Sequence, residues 1–185
     1  MFLNNPDAST VGGLATAVPS EIAGYWAAHQ IAGKLPWRDL FEPTIQLCLN
    51  GFPVSENLAW AIQTFSDLLR IDSELTKIFF NATTNDTLNA GDTIKFTKLG
   101  KTLQIIADGG MKAFYDGELS PIIVEENNKK GGILTLEDLR NYKPIVNNSI
   151  QINLNGNLRY FGVPPPSSGV LVGFILNLMS RKFLK

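Results

Sequence analysis

Nucleophilic catalysis by a hydroxyl or thiol needs a base beside it, and this sequence offers one thiol and one imidazole. It holds one cysteine, Cys48, and one histidine, His29. Ser167 and Ser168 stand beside Gly169, but no Gly-x-Ser-x-Gly turn surrounds them, the pattern that exposes a catalytic serine between strand and helix. His29 is the sole imidazole base, and it shares helical spacing with Ile22, Tyr25 and Trp26. In that setting it reads as a packed, hydrogen-bonded histidine rather than as part of a serine–histidine pair. Cys48, within Ile45-Gln46-Leu47-Cys48-Leu49, reads as a small buried hydrophobe. One cysteine excludes an intramolecular disulfide and a multi-thiolate zinc site, and one histidine excludes a histidine-rich metal site. No metal or cofactor is expected.

Paired carboxylates, the arrangement for general acid and base work, occur as Glu125-Glu126 and Glu137-Asp138. Neighbours on a helix point in different directions, so neither pair converges on one substrate atom. A solvated face and a helix cap account for them. Asp108-Gly109-Gly110 and Gly12-Gly13 lack the surroundings of a phosphate-binding loop. Three sequons, Asn81-Ala82-Thr83, Asn85-Asp86-Thr87 and Asn147-Asn148-Ser149, make Asn81, Asn85 and Asn147 candidate N-glycosylation acceptors. So short a pattern arises by chance about twice in a chain this rich in asparagine.

The scaffold for these residues is globular by composition. Of 185 residues, 44% are hydrophobic and 18% charged, enough to bury a core and unlike a disordered segment. A net charge of −1 gives no basic surplus for nucleic acid or an anionic membrane. The opening Met1-Phe2-Leu3-Asn4-Asn5-Pro6 lacks the basic and apolar regions of a signal peptide. The most apolar stretch, Val170 to Met179, falls short of the ~20 residues of a membrane span. The chain is therefore expected to be soluble and without an address of its own.

The expected elements are mostly helical. The first dozen residues read as loose. Pro19 opens a helix that Gly33 ends, and Pro36 opens another that Pro43 should break or kink before Gly51-Phe52-Pro53 stops it. Ser55 caps a helix with Leu58, Ile62, Phe65 and Leu69 on its apolar face. Asn81 to Thr93 reads as a surface loop. Helix returns around Thr102, then from Ser120-Pro121 to Gly131-Gly132, and after a capping box at Thr135 to Asp138. The period then changes to alternation, in Ile150, Ile152, Leu154 and again in Leu158, Tyr160, joined by Asn155-Gly156, a hairpin signal near 149–161. Pro164-Pro165-Pro166-Ser167-Ser168-Gly169 forms a rigid turn before a last helix from about Val170. The fold class is α+β, and a lone hairpin should belong to a larger sheet.

Several segments, in order, resemble the large subunit of the gamma-glutamyltransferase family. They are Gly12-Gly13 leading into Ala17-Val18-Pro19-Ser20-Glu21, Gly33-Lys34-Leu35-Pro36-Trp37 with Leu40-Phe41-Glu42-Pro43, and Gly51-Phe52-Pro53-Val54-Ser55. Ala113-Phe114-Tyr115-Asp116-Gly117, Gly131-Gly132-Ile133 with Glu137-Asp138-Leu139 and Tyr142, and Pro164 to Gly169 with Ile175-Leu176-Asn177 complete the series. Ser20 departs from the family, which has glycine there.

The resemblance implies a helix-rich part of an N-terminal nucleophile hydrolase, with stacked α, β, β, α layers. It implies one partial domain over residues 1–185, with both ends of the family domain missing. In the family an N-terminal threonine of the small subunit attacks a gamma-glutamyl amide such as that of glutathione, its own amine serving as base. That threonine is expected downstream of Lys185, and the carboxylate-gripping arginine and any anchor upstream of Met1. No catalytic or substrate-binding residue is therefore assigned, and the chain alone is expected to be inactive. The implied partners are a gamma-glutamyl substrate and the small subunit, and the implied setting is extracellular or the cell surface. The alternative is an inactive truncated relative that binds a partner.

Overall fold

The computed structural model describes residues 5–183. They form two compact units that meet in sequence at Lys143 and Pro144. The first holds helices α1 (Glu21–Ala32), α2 (Trp37–Asn50), α3 (Glu56–Thr64), α4 (Ser66–Ile71), α5 (Ser73–Phe79), α6 (Thr97–Tyr115), α7 (Leu119–Lys129) and α8 (Leu136–Asn141), with strands β1 (Phe52–Pro53) and β2 (Thr93–Ile94). The second holds β3 (Ile150–Asn153), β4 (Arg159–Gly162) and α9 (Gly169–Phe183). Helices with small antiparallel hairpins make the α+β class expected from the sequence.

The expected early looseness is only partly found. Pro6–Ser9 and Gly13–Ala15 form 3-10 turns, and Met1 to Asn4 lie outside the described residues. Gly13 is held by its N–H donating to Lys130 O at 2.9 Å and by the Asn127 side chain donating to its carbonyl at 3.0 Å. A Cβ on Gly13 would lie 2.3 Å from Gly132 N, so two backbones touch there.

Pro43, expected to break or kink the helix, lies inside α2, which is not broken there. A proline costs one backbone bond and crowds the preceding turn, about 3 kcal/mol. Here α2 lies along α6, burying Ile45 and Cys48, and that packing overrides the local cost. Gly100 of α6 permits the approach, since a Cβ there would lie 2.9 Å from Leu49 Cδ2 and 3.1 Å from Cys48 Cβ. Conversely, the single helix expected from Leu58 to Leu69 is two, broken at Phe65, which has φ −105°, ψ 20° and is largely exposed. Ser55 caps α3 as expected, its Oγ accepting Leu58 N at 3.2 Å.

Two cores organise the first unit. Val54, Ala59, Ile62, Leu88 and Ile94 form one, with Phe52, Phe79 and Phe96 against it. Ala23, Tyr115, Leu134 and Leu139 form the other. Near-complete burial of Ile62, Ile94 and Leu139 stabilises the fold by about 1.5–3 kcal/mol each. The pairing Phe52↔Ile94 and Pro53↔Thr93 closes the first core. Two-residue strands leave no alternation for a sequence reading to find. The loop before β2 is exposed as expected, apart from the buried Leu88.

In the second unit β3 and β4 pair antiparallel, Ile150↔Gly162 through Asn153↔Arg159. The turn is centred one residue later than Asn155-Gly156: Gly156 and Asn157 carry the positive φ values, 70° and 61°, and Leu154 N donates to Leu158 O at 2.8 Å. Gly173 of α9 admits Ile152 and Tyr160, since a Cβ there would lie 2.3 Å from Ile152 Cδ1. The outer side of α9 stays apolar and exposed, through Leu171, Phe174, Ile175 and Leu178. Among the described residues no helix is long and apolar enough to cross a membrane.

Candidate functional site

The aromatic residues of α1 and α2 enclose a cleft of about 520 Å³, lined among others by Tyr25, His29, Trp37, Leu40, Phe41 and Leu103. Helix α1 brings Tyr25, Trp26 and His29 to one side, as their spacing implies, and the short link at Leu35-Pro36 turns Trp37 and Phe41 of α2 to face them. The His29 ring lies 5.5 Å from Trp37 and 6.3 Å from Trp26, centroid to centroid. Trp37 is fixed by its Nε1–H donating to Ile106 O at 3.0 Å.

His29 Nε2 lies 2.8 Å from Leu35 O, an acceptor, so Nε2 carries the proton. Nδ1 is buried without a partner. Gly33 packs on this ring: a Cβ would lie 2.4 Å from His29 Cδ2. That contact, rather than a left-handed backbone, is why glycine follows α1, since Gly33 has φ −64°. The imidazole is thus a packed, hydrogen-bonded element, as the sequence suggested. Tyr25 donates to Glu21, a bond that raises the phenol pKa above its ordinary value. The cleft is apolar and suited to packing.

The other candidates from the sequence resolve into structural roles. Cys48 is buried against α6. Glu125 and Glu126 both bind Lys129, at 2.7 and 2.9 Å. Asp138 closes the expected capping box, accepting Thr135 N at 2.9 Å while Thr135 Oγ1 accepts Asp138 N at 3.1 Å. Asp108 pairs with Arg38 across α6 and α2. Ser20, the departure from the family pattern, sits at φ −102°, ψ −15°, which serine adopts without strain. In the proline turn, where Pro165–Pro166 is cis, Ser167 N donates to Pro164 O at 3.1 Å and Ser168 O starts α9 by accepting Val172 N at 3.0 Å. Among the described residues no three His, Cys, Asp or Glu side chains gather as a metal site would need.

The three sequon asparagines are exposed but differently held. Asn81 Oδ1 accepts Thr83 N at 2.8 Å and Thr84 N at 3.3 Å. Asn85 has φ 58°, and its Oδ1 and backbone oxygen accept Arg70 at 3.2 and 2.8 Å. Asn147 lies on the irregular stretch before β3.

This arrangement of helices and hairpins is that of the gamma-glutamyltranspeptidases. The crystal structure of the Helicobacter pylori gamma-glutamyltranspeptidase matches the whole chain with TM-score 0.89 at 31% identity, over 54% of its own length. The Bacillus anthracis transpeptidase CapD matches 90% of it with TM-score 0.76 at 30% identity, over 56% of its own length. The chain belongs to the gamma-glutamyltranspeptidase family, whose model matches residues 1–185. It is 36% identical to glutathione hydrolase 3 of Arabidopsis thaliana over 97% of this chain and 28% of that protein. It is 39% identical to scoloptoxin SSD14 of Scolopendra dehaani over 98% of this chain and 31% of that protein. The chain thus spans about a third of the length of the curated relatives it matches.

Proposed function

We propose that this chain supplies the helix-rich part of an enzyme that transfers or hydrolyses gamma-glutamyl groups, glutathione being a substrate. The observation that carries the reading is the match of all 185 residues to the family model, joined to a fold shared at TM-score 0.89 with a gamma-glutamyltranspeptidase. In the proposed reaction a threonine hydroxyl outside these residues attacks the gamma-glutamyl carbonyl. The amide C–N bond breaks, the amine leaves with a proton, and water or an acceptor amine opens the resulting ester. This chain's part is positioning: its two cores and the α2–α6 pair hold the surfaces on which a second subunit packs. The exposed apolar side of α9 supports such a partner, because faces of this kind mark interaction surfaces. A secretory route to the cell surface or exterior belongs to the same reading.

The test is a chimera in which this chain replaces the matching segment of the Arabidopsis glutathione hydrolase 3. It should hydrolyse a gamma-glutamyl chromogenic substrate and be blocked by a glutamine-mimicking inhibitor. A chimera that melts like the parent yet does nothing to the substrate would sink the proposal. Hydrolysis by the purified 185-residue chain alone would overturn the placement of the nucleophile outside it.

A further inference from the structure

The sequons differ in ways that matter for a transferase. N-glycosylation requires the asparagine amide nitrogen to be reachable and the Thr or Ser two residues on to be presented with it. At Asn81 all three sequon residues are exposed. The side-chain oxygen is taken up by the amides of Thr83 and Thr84, so the turn fixes the side chain while Nδ2 stays outside its hydrogen bonds. At Asn85 the oxygen is held by Arg70, whose guanidinium also lies 4.1 Å above the Phe80 ring. Thr87 of that sequon is half-buried and bridged to Phe80. Asp86 puts a carboxylate in the middle of that sequon, and like charges repel an anionic diphosphate-linked donor. Asn81 and Asn85 are only four residues apart, so a glycan on the first covers the second. Asn147 is exposed and free of such restraint, but offers serine rather than threonine.

We propose that Asn81 is the principal acceptor of an N-linked oligosaccharide on this chain, with Asn147 second and Asn85 unused. This rests on the secretory route proposed above. Asn81 Nδ2 forms a bond to the anomeric carbon of a lipid-diphosphate-linked sugar. The bond from that carbon to the diphosphate oxygen breaks, the lipid diphosphate leaves with the electron pair, and the amide releases one proton. The glycan would stand on the loop between α5 and β2, at the rim of the core formed by Ile62 and Ile94.

The experiment is secretion of the full chain behind a cleavable signal sequence from yeast or insect cells, with site occupancy read by peptide mass after enzymatic release in heavy-oxygen water. Asn81 should be the most occupied site and Asn85 bare. Asn81→Gln should remove one glycosidase-sensitive gel shift, and Asn85→Gln should leave it. Thr83→Ala should also remove it while keeping the Asn81 turn, which uses only the Thr83 backbone. A secreted chain with Asn81 bare, or with Asn85 more occupied than Asn81, overturns the inference. The signal sequence enforces entry to the secretory pathway, so that result would leave the gamma-glutamyl reading to its own hydrolysis assay.

Discussion

The Tyr115 hydroxyl donates to Pro19 O at 2.5 Å and accepts Ala23 N at 3.2 Å. One phenol at the end of α6 therefore satisfies an orphan N–H in the first turn of α1, a service that the Ser20 side chain does not perform. Tyr115→Phe keeps the ring packing on Phe114 and Tyr142 and strands both partners. The expected loss is about 1–3 kcal/mol, read as a lower urea midpoint at unchanged slope. Burial also pushes the Tyr115 phenol above its ordinary 10.0. The unfolded phenol ionises first, so this stability is whole below pH 10.0 and fades as pH rises through the folded value. An equal alkaline loss in wild type and Tyr115→Phe would refute the linkage.

Asn127 and Gly132 form a second pair whose energies should not add. Asn127 is buried, donates to Gly13 O, and accepts Leu134 N at 3.1 Å. Asn127→Ala should cost about 2–4 kcal/mol, since two buried backbone groups lose their partners. A Cβ on Gly132 would lie 1.9 Å from Asn127 Oδ1, so Gly132→Ala should be as damaging through overlap. Truncating Asn127 removes the atom that clashes. The double variant should thus be less destabilised than the sum, by about 1 kcal/mol or more. Strict additivity in a denaturation cycle would contradict the geometry.

Pro43 is exposed within α2. Replacing it with alanine restores an N–H and relieves the crowded turn, while enlarging the unfolded ensemble slightly. The net expectation is a gain of about 1–2 kcal/mol and a higher melting temperature. A fall in melting temperature would mean that the ring contributes packing the structure does not display.

Lys77, then Lys98, hold the Glu74 carboxyl down at about 2 against its ordinary 4.5. Lys77 shares α5 with Glu74, and Lys98 links that helix to the start of α6. A depressed carboxylate contributes stability above pH 4.5 that is lost as pH falls toward about 2. Carbon-detected NMR titration should find Glu74 as a low-titrating carboxylate, with Lys77→Gln moving it upward. The group is solvent-exposed, so added salt should shrink the shift. A midpoint near 4.5 in low salt would dispose of the network.

What could be read before folding was local. The Thr135 capping box, the Ser55 cap and the β3–β4 hairpin each involve residues within a few positions of one another, and each formed. Pro43 in an unbroken helix was set by α6, packed along α2 from far down the chain, which overrides propensity, whereas the break at exposed Phe65 left no mark in the helical spacing. Nothing in the sequence singled out Asn127, and only its contacts with Gly13 and Leu134 make it a core residue. For the cleft, the shared face of Tyr25, Trp26 and His29 was legible, whereas its opposite wall needed the turn at Leu35-Pro36. The three sequons were visible as strings, but their ranking depends on Arg70, Phe80 and the turn at Thr83.

The join between Gly13 and Asn127 spans 114 residues. A ribosome adding roughly 5–20 residues per second needs about 6–23 seconds to cover that distance. Through that interval the early turn has no partner, while the Ser55-capped helix and the loop bearing Asn81 have already emerged. The Gly13 turn is therefore a late-closing clasp, and synthesis speed, chaperone supply and the order of modification all act on it before it shuts.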